Sequence, residues 1–184
     1  MKKWLPLFLL LATVQVSAQQ TKPRFETRLQ AGLLEGEAGS AFQLQAVGAL
    51  RYQSWSAGIG GGLDYYHSRS LPLFLELRKS FGAVQKGPFV YASSGYNFPW
   101  LRPAEKDWSL QKARGGLYLD AGLGYHFALG KQSKLYFSVG YSQKEYETTS
   151  AYSVAIGVYP PIPATFYTAD YTLRRLSIKM GLGF

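Results

Sequence analysis

The stretch Thr172–Phe184, TLRRLSIKMGLGF, divides into two sets of residues when it is read alternately. One set is wholly apolar and comprises Leu176, Ile178, Met180, Leu182 and Phe184. The intervening positions carry Arg175, Ser177, Lys179 and two glycines. A period of two places each set on its own face of a β-strand. The stretch therefore predicts a strand with one apolar face and one basic or bare face.

The same alternation recurs in seven further segments. They are residues 25–34, 41–52, 56–66, 71–81, 88–98, 115–129 and 134–146. Only residues 88–98, PFVYASSGYNF, leave the two faces ambiguous, because amphipathic residues occupy both. Most segments exceed the ~5–6 residues usual for strands of soluble sheets. They suit the ~9–11 residues that a tilted strand needs to cross a bilayer.

Composition supports strands and excludes other classes. The chain has 20 Gly, 14 Tyr and 11 Phe but only 17% charged residues, which favours strands and turns over helices. There is no cysteine, so neither a disulfide framework nor lipoprotein acylation is expected. The formal charge of +9 is spread along the chain, and a protein that is exported and has no basic cluster is not expected to bind nucleic acid.

The N-terminal residues 1–18 have the three parts of a secretory signal peptide. Lys2 and Lys3 supply the charged region, residues 5–16 the apolar region, and residues 16–18, Val-Ser-Ala, a cleavage site with small residues. We expect cleavage after Ala18, which leaves residues 19–184 as a single barrel domain. No later stretch approaches the ~20 apolar residues of a transmembrane helix.

Two kinds of barrel fit eight amphipathic antiparallel strands, and they differ in which face points inward. A soluble ligand-binding barrel encloses its apolar face, whereas a membrane barrel turns that face toward lipid. Glycines such as Gly60, Gly122 and Gly181 lie on the polar face. They relieve crowding inside a narrow barrel but only weaken a solvated exterior. The sequence thus predicts an all-β, eight-stranded, antiparallel, up-and-down transmembrane barrel.

Connection lengths predict its orientation. The turns near 53–54, 82–87 and 129–134 are short, and they alternate with connections that include long loops at 97–114 and 147–171. Outer-membrane barrels have short periplasmic turns and longer extracellular loops. We therefore expect both termini in the periplasm, with Phe25 and Phe184 meeting where the barrel closes.

With these features the chain resembles the outer membrane protein beta-barrel family of small, porin-like barrels. The terminal set Leu176, Ile178, Met180, Leu182 and Phe184 is similar to the C-terminal signature that the barrel assembly machinery reads. Gln19-Gln20 and PFVYASSGYNF resemble members from Bacteroidetes-type bacteria. The resemblance implies a location in the outer membrane of a Gram-negative bacterium and contact with its lipid, but no activity.

Turning the polar faces inward collects charged residues of both signs in the lumen. They are Glu26, Arg28, Arg51, Asp64, Glu76, Arg78, Asp120, Lys144, Arg175 and Lys179, together with His126. Unpaired buried charges are costly, so these side chains should pair and close the lumen. Arg175 and Lys179 are expected to meet Glu76 or Asp120. The alternative is a porin-like channel for ions or small solutes.

An enzyme that modifies lipid is the third possibility. It would need a Ser nucleophile, a His base and an acidic residue within reach of each other. His126 lacks the His-x-Ser spacing of the lipid A deacylase family, and His67 beside Ser68 is typical of a solvated turn. We expect no enzyme, no cofactor and no metal site.

The long loops carry aromatic residues and prolines. Trp100 and Trp108 lie in the first loop, and residues 159–171 hold Pro160, Pro161 and Pro163 among tyrosines. Exposed aromatics beside rigid prolines suit a surface for an extracellular partner. They also suit the aromatic girdle of a membrane barrel. The overall expectation is a barrel with a structural or surface-interaction role.

Overall fold

The computed structural model describes residues 22–82, 86–100, 110–130, 133–152 and 165–184. The predicted signal peptide therefore lies outside the described residues. Eight strands form a closed barrel in chain order. They are β1 (Arg24–Gly36), β2 (Gly39–Tyr52), β3 (Trp55–Asp64), β4 (Ser70–Ser80), β5 (Gly87–Pro99), β6 (Leu110–Leu129), β7 (Ser133–Tyr152) and β8 (Thr165–Gly183). The predicted eight-stranded antiparallel barrel is confirmed.

The barrel closes between its first and last strands. β1 and β8 pair from Arg28 opposite Gly183 to Gly36 opposite Arg175. Beyond that pairing, Thr27 and Phe184 exchange two backbone hydrogen bonds of 3.1 and 2.9 Å. Phe184 thus pairs with Thr27 rather than with Phe25 as expected. The alternation of side chains fixes only which face a residue takes, whereas the stagger of the closed barrel fixes the partner.

Side chains alternate between a buried interior and an exposed apolar exterior. In β4, Leu71, Leu73, Leu75 and Leu77 point outward and are exposed, while the residues between them are buried. β5, which was ambiguous in sequence, follows the same rule, with Phe89 and Tyr91 inside and Val90 outside. A continuous exposed apolar surface around a barrel is what contact with lipid requires.

β6, β7 and β8 are longer than the other strands. β7 and β8 pair up to Tyr152 opposite Thr165, while β1 reaches β8 only as far as Arg175. The three-strand extension, defined as Leu110–Gly115, Tyr146–Tyr152 and Thr165–Tyr171, therefore continues past the end of the closed barrel. The predicted loops 97–114 and 147–171 were too long, because threonines and aromatics at their ends pair as strands.

A bulge marks the place where β6 enters the extension. The register between β6 and β7 shifts between Gly115 and Tyr118, so that one strand has an extra residue. Bulges bend a strand and increase its twist.

At the other end, the predicted tight turn at Gln53-Ser54 is present, and Gln53 has a φ of 54°. Among the described residues, no helix is long and apolar enough to cross a membrane.

Candidate functional site: the barrel lumen

The ten predicted lumen residues all project into the barrel. Nine of them are buried, and Arg51 is half-buried near one end. Among the described residues, the inward-facing charges that are buried or half-buried comprise four carboxylates and seven cations, because Lys134 joins the predicted set. The charges fall into three groups, named here by the carboxylates that they surround: Glu26/Glu76, Asp120 and Asp64.

The Glu26/Glu76 group lies nearest the chain termini. Arg28 Nη2 is 2.9 Å from Glu76 Oε1, and Arg78 Nη2 is 3.2 Å from the same oxygen. Arg28 Nε also lies 3.7 Å from Glu26 Oε1. These four side chains join β1 to β4 across the interior, and all are nearly inaccessible to solvent.

Glu26 binds two further cations. Lys134 Nζ lies 2.9 Å and Arg51 Nη1 3.3 Å from Glu26 Oε2. Sequence reasoning missed Lys134, because it placed this residue at the boundary between the turn 129–134 and the segment 134–146. The missed signal was the alternation itself, since Lys134 has the same parity as the buried Tyr136 and Ser138. The strand that carries it starts at Ser133.

Asp120 occupies the middle of the lumen. It forms an ion pair with Lys179 and accepts hydrogen bonds from Tyr91 Oη at 2.9 Å, Tyr118 Oη at 3.2 Å and Ser177 Oγ at 3.3 Å. A carboxylate with four donors has its lone pairs largely satisfied, which offsets part of the cost of burying its charge. The expected pairing of Lys179 with Asp120 is present.

Asp64 lies toward the three-strand extension. Arg175 Nη1 is 2.5 Å from Asp64 Oδ2, and Lys144 Nζ is 3.3 Å from Asp64 Oδ1. Lys144 Nζ also donates to the Tyr66 carbonyl at 2.8 Å, the Ser68 carbonyl at 2.9 Å and Ser70 Oγ at 3.0 Å. The expectation that Arg175 meets Glu76 or Asp120 was wrong, because the stagger of β8 places Arg175 beside the end of β3.

Neutral side chains connect the groups. Gln30 Nε2 donates to Gln45 Oε1 at 2.5 Å, and Gln45 Nε2 donates to Tyr118 Oη at 2.8 Å. Tyr136 Oη donates to Gln30 Oε1 at 3.0 Å. Because β2 and β6 stand four strands apart in a barrel of eight, the Gln45–Tyr118 bond crosses the full width of the lumen.

Aromatic rings fill the remaining space. The Arg78 guanidinium lies 4.3 Å from the Phe89 ring centroid and 4.8 Å from that of Tyr136. His126 stacks on Phe89 with centroids 4.2 Å apart, and its Nε2 is 3.5 Å from Arg78 Nη1. The alternation placed Tyr136 and His126 on the polar face and left Phe89 ambiguous, and it did not predict that these rings pack around Arg78. The rings exclude water around Arg78 and strengthen its ion pairs.

His67 and Ser68 lie at the mouth of the barrel beside the extension. The His67 ring is 5.8 Å from the Tyr146 ring and 5.7 Å from the Tyr171 ring, and those two tyrosines stack at 4.8 Å. Asp64, the acidic residue nearest to His67 in sequence, is engaged by Arg175 and Lys144. His67 is thus part of an aromatic cluster.

The predicted assembly residues all lie on the outer face of β8 and its end. Leu176, Ile178, Met180, Leu182 and Phe184 are between 41% and 55% exposed. They continue the apolar exterior up to the closure with β1. Of the predicted loop surface, Trp100 lies at the end of β5, and Arg69 packs on its ring at 4.6 Å. Trp108 and residues 153–164 lie outside the described residues.

Solved structures with similar folds include a bacterial surface protein and a bacterial outer membrane protein. Neisserial surface protein A has 11% sequence identity and a TM-score of 0.61, with 88% of this chain and 97% of that chain covered. The outer membrane protein OprG from Pseudomonas aeruginosa has 14% identity and a TM-score of 0.59, with 88% and 95% covered. At these identities the likeness establishes the fold alone.

Comparison with curated proteins finds no match. The model of the outer membrane protein beta-barrel domain, by contrast, matches residues 5–183, nearly the whole chain. With the closed barrel and its apolar exterior, this match shows that the chain belongs to the outer membrane protein beta-barrel family.

Proposed function

We propose that this protein is a non-enzymatic, integral outer-membrane barrel whose lumen is closed and whose role is contact at the cell surface. The observation that carries the proposal is the network of ion pairs and hydrogen bonds that crosses the lumen at three levels. The network occupies the path that a solute would take. The three-strand extension continues past the end of the closed barrel, and we propose it as the contact surface.

The cross-lumen bonds support closure because they join opposite walls. Lys144 on β7 reaches Asp64 on β3, and Tyr118 on β6 reaches Gln45 on β2, each across four strands. Arg28 on β1 reaches Glu76 on β4. Opening a path would separate buried charges from their partners, which costs several kcal/mol for each pair.

The orientation and biogenesis complete the proposal. We propose that residues 1–18 are removed on export, that both termini face the periplasm and that the barrel assembly machinery reads the terminal apolar set. The short turn at Gln53-Ser54 and the extension at the opposite end support this orientation. The three-strand extension is then extracellular and available to a partner.

Conductance across a planar bilayer tests the closed lumen. We expect the wild-type barrel to show no stable open state, because the network fills its interior. The variant Tyr118→Ala removes a buried ring and the cross-lumen bond to Gln45, and we expect it to raise the frequency of openings. Gln143→Ala, a change on the outer face of β7, serves as the control. A stable open state in the wild type contradicts the proposal.

A porin-like channel is the second candidate, and one observation favours it. The described lumen holds seven cations against four carboxylates, so an open pore would carry an excess of positive charge. Such a pore attracts anions and repels cations. If the wild type does conduct, the reversal potential in a salt gradient should show selectivity for anions. Selectivity for cations would exclude a pore whose selectivity is set by the excess of lumen cations.

A further inference from the structure

The free edge of β8 runs along one side of the three-strand extension. β8 pairs with β7 without interruption from Thr165 to Gly183. On its other side β1 pairs with β8 only between Arg175 and Gly183, followed by Phe184 with Thr27. Within the described residues, the side of β8 away from β7 therefore has no strand partner from Thr165 to Arg174.

The register identifies which backbone groups face this edge. Thr27 and Phe184 exchange both of their hydrogen bonds, so Phe184 turns its N–H and C=O groups toward β1. In an antiparallel strand the residues that face one neighbour recur at every second position. The pairings of β8 show no bulge, so the even-numbered residues continue to face this side. The free N–H and C=O groups are those of Phe166, Thr168, Asp170, Thr172 and Arg174.

This edge lacks most of the features by which proteins block edge-to-edge pairing. Natural edges are protected by proline, bulges, short length or charged side chains, especially lysine. Of these features, the edge has only the charges of Asp170 and Arg174. Residues 165–174, TFYTADYTLR, contain neither proline nor lysine, and β8 has no bulge. The side chains of the five edge-facing residues are all exposed, and Phe166 and Tyr167 are 65% and 68% exposed. The edge is thus a long, regular template for another strand.

A second copy in the same membrane is a poor occupant. The extension has two outer strands, β6 and β8, and both run in the same direction along the barrel because β7 lies antiparallel between them. Copies inserted in the same orientation would therefore offer one another only parallel strands. Such copies cannot supply an antiparallel strand, whose pairing is the more stable kind.

We propose that the β8 edge at Phe166–Arg174 binds an extended segment of another protein as an added antiparallel strand. Backbone hydrogen bonds supply the affinity, and side chains at alternate positions of the partner supply the register. Asp170 and Arg174 lie four residues apart on the outer face. They select a partner that places a basic residue opposite Asp170 and an acidic residue opposite Arg174. This inference rests on the proposed surface role.

A synthetic nine-residue peptide serves as the probe. Acetyl-ETVTKTVTY-amide, bound antiparallel, places Glu opposite Arg174, Lys opposite Asp170 and Tyr opposite Phe166. The charge-swapped peptide KTVTETVTY has the same composition but sets like charges opposite each other. Binding of fluorescein-labelled peptides to the full-length barrel in lipid nanodiscs is measured by anisotropy. We expect the charge-swapped peptide to bind at least about fivefold more weakly.

Paired variants separate backbone recognition from side-chain recognition. Thr168→Pro with Thr172→Pro removes two of the five N–H donors at the free edge and leaves the backbone hydrogen bonds to β7 in place. Thr168→Ala with Thr172→Ala makes the same side-chain deletions but keeps both N–H groups. We expect the proline pair to weaken peptide binding about tenfold or more, and the alanine pair to change it less than about threefold.

Hydrogen exchange on the wild type gives a test that does not depend on the folding of a variant. Bound peptide should protect the amides of residues 166, 168, 170, 172 and 174, and leave unchanged the odd-numbered amides, which already bond to β7. Absence of binding, equal binding by the proline pair, or protection without this alternation overturns the inference. The conductance test of the closed lumen is unaffected by any of these results.

Discussion

Asp64→Asn is the substitution that probes the lumen network most directly. Asp64 is fully buried, with Arg175 Nη1 at 2.5 Å and Lys144 Nζ at 3.3 Å from its oxygens, and Tyr66 N–H donates to Oδ1 at 2.8 Å. Asparagine has nearly the same shape and can still accept the hydrogen bond from Tyr66. The change therefore removes the negative charge, places an amide NH₂ group instead of an acceptor opposite Arg175, and leaves two buried cations next to each other.

The size of the effect follows from these distances. At an effective dielectric constant of about 20, two unit charges about 3 Å apart attract by about 5 kcal/mol. Replacing the carboxylate forfeits two such attractions but also removes the cost of burying that carboxylate, which is several kcal/mol. The net result is the loss of about 3–5 kcal/mol that is typical when one partner of a buried pair is removed.

The assay is equilibrium unfolding in guanidinium chloride, with the barrel folded in lipid vesicles and followed by tryptophan fluorescence. Glu35→Gln is the matched control, because Glu35 is exposed and bonds only to Ser40 among the described residues, so a change within about 0.5 kcal/mol is expected. The double variant Asp64→Asn with Arg175→Gln should recover about 1–3 kcal/mol relative to the sum of the single changes. Additive effects, or a loss below about 1 kcal/mol for Asp64→Asn, would refute the reasoning.

Three further predictions use matched pairs of residues, each measured as barrel stability or yield. A β-carbon at Gly122 would lie 2.3 Å from the Val139 carbonyl oxygen, whereas one at Gly48 meets nothing closer than Phe25 at 3.5 Å. In unfolding experiments, Gly122→Ala should therefore lower the free energy of unfolding by about 1–3 kcal/mol, and Gly48→Ala should leave it unchanged. Leu75 and Phe166 are 64% and 65% exposed. In vesicles, Leu75→Arg faces lipid and should lower the free energy of unfolding by about 2–4 kcal/mol, whereas Phe166→Arg on the extension should lower it by less than about 1 kcal/mol. Equal losses would contradict the placement of the extension outside the bilayer. Phe184→Ser should lower the amount of heat-modifiable barrel in outer membranes severalfold. Phe25→Ser should not, although both rings face outward at the same end of the barrel. Equal yields of the two variants would argue against an assembly signal at Phe184.

The sequence was sufficient for the faces of the strands and insufficient for their partners. Period-two alternation assigned Arg28, Glu76 and Lys179 to the interior because parity alone decides the face. Pairing across the lumen depends on the stagger between strands, and alternation carries no information about stagger. For this reason Arg175 was expected beside Glu76 or Asp120, whereas it bonds to Asp64.

Strand ends and interior aromatics were the other limits of the prediction. Residues such as Thr148 and Thr149 are polar on both faces once a strand leaves the bilayer, so the alternation that identifies a strand disappears there. Tyr91 was hard to assign, because both faces of its strand are amphipathic in sequence and its ring suits either a lipid surface or a packed interior. Its hydroxyl group decides the matter, since it donates to Asp120 in the lumen.

The closure of β8 on β1 also has a consequence for how the chain folds. The pair formed by Arg28 and Gly183 joins the first strand to the last, so the contact that closes the barrel has nearly the greatest sequence separation among the strands. Contacts of large separation form slowly, because a long loop must be ordered before they contribute any stability. Until β8 is in place, β1 and β7 both present unpaired edges that promote aggregation. The risk that a newly made chain aggregates therefore depends on how long β1 and β7 stay unpaired. The rate of barrel closure sets this time, and the stability of the finished barrel does not.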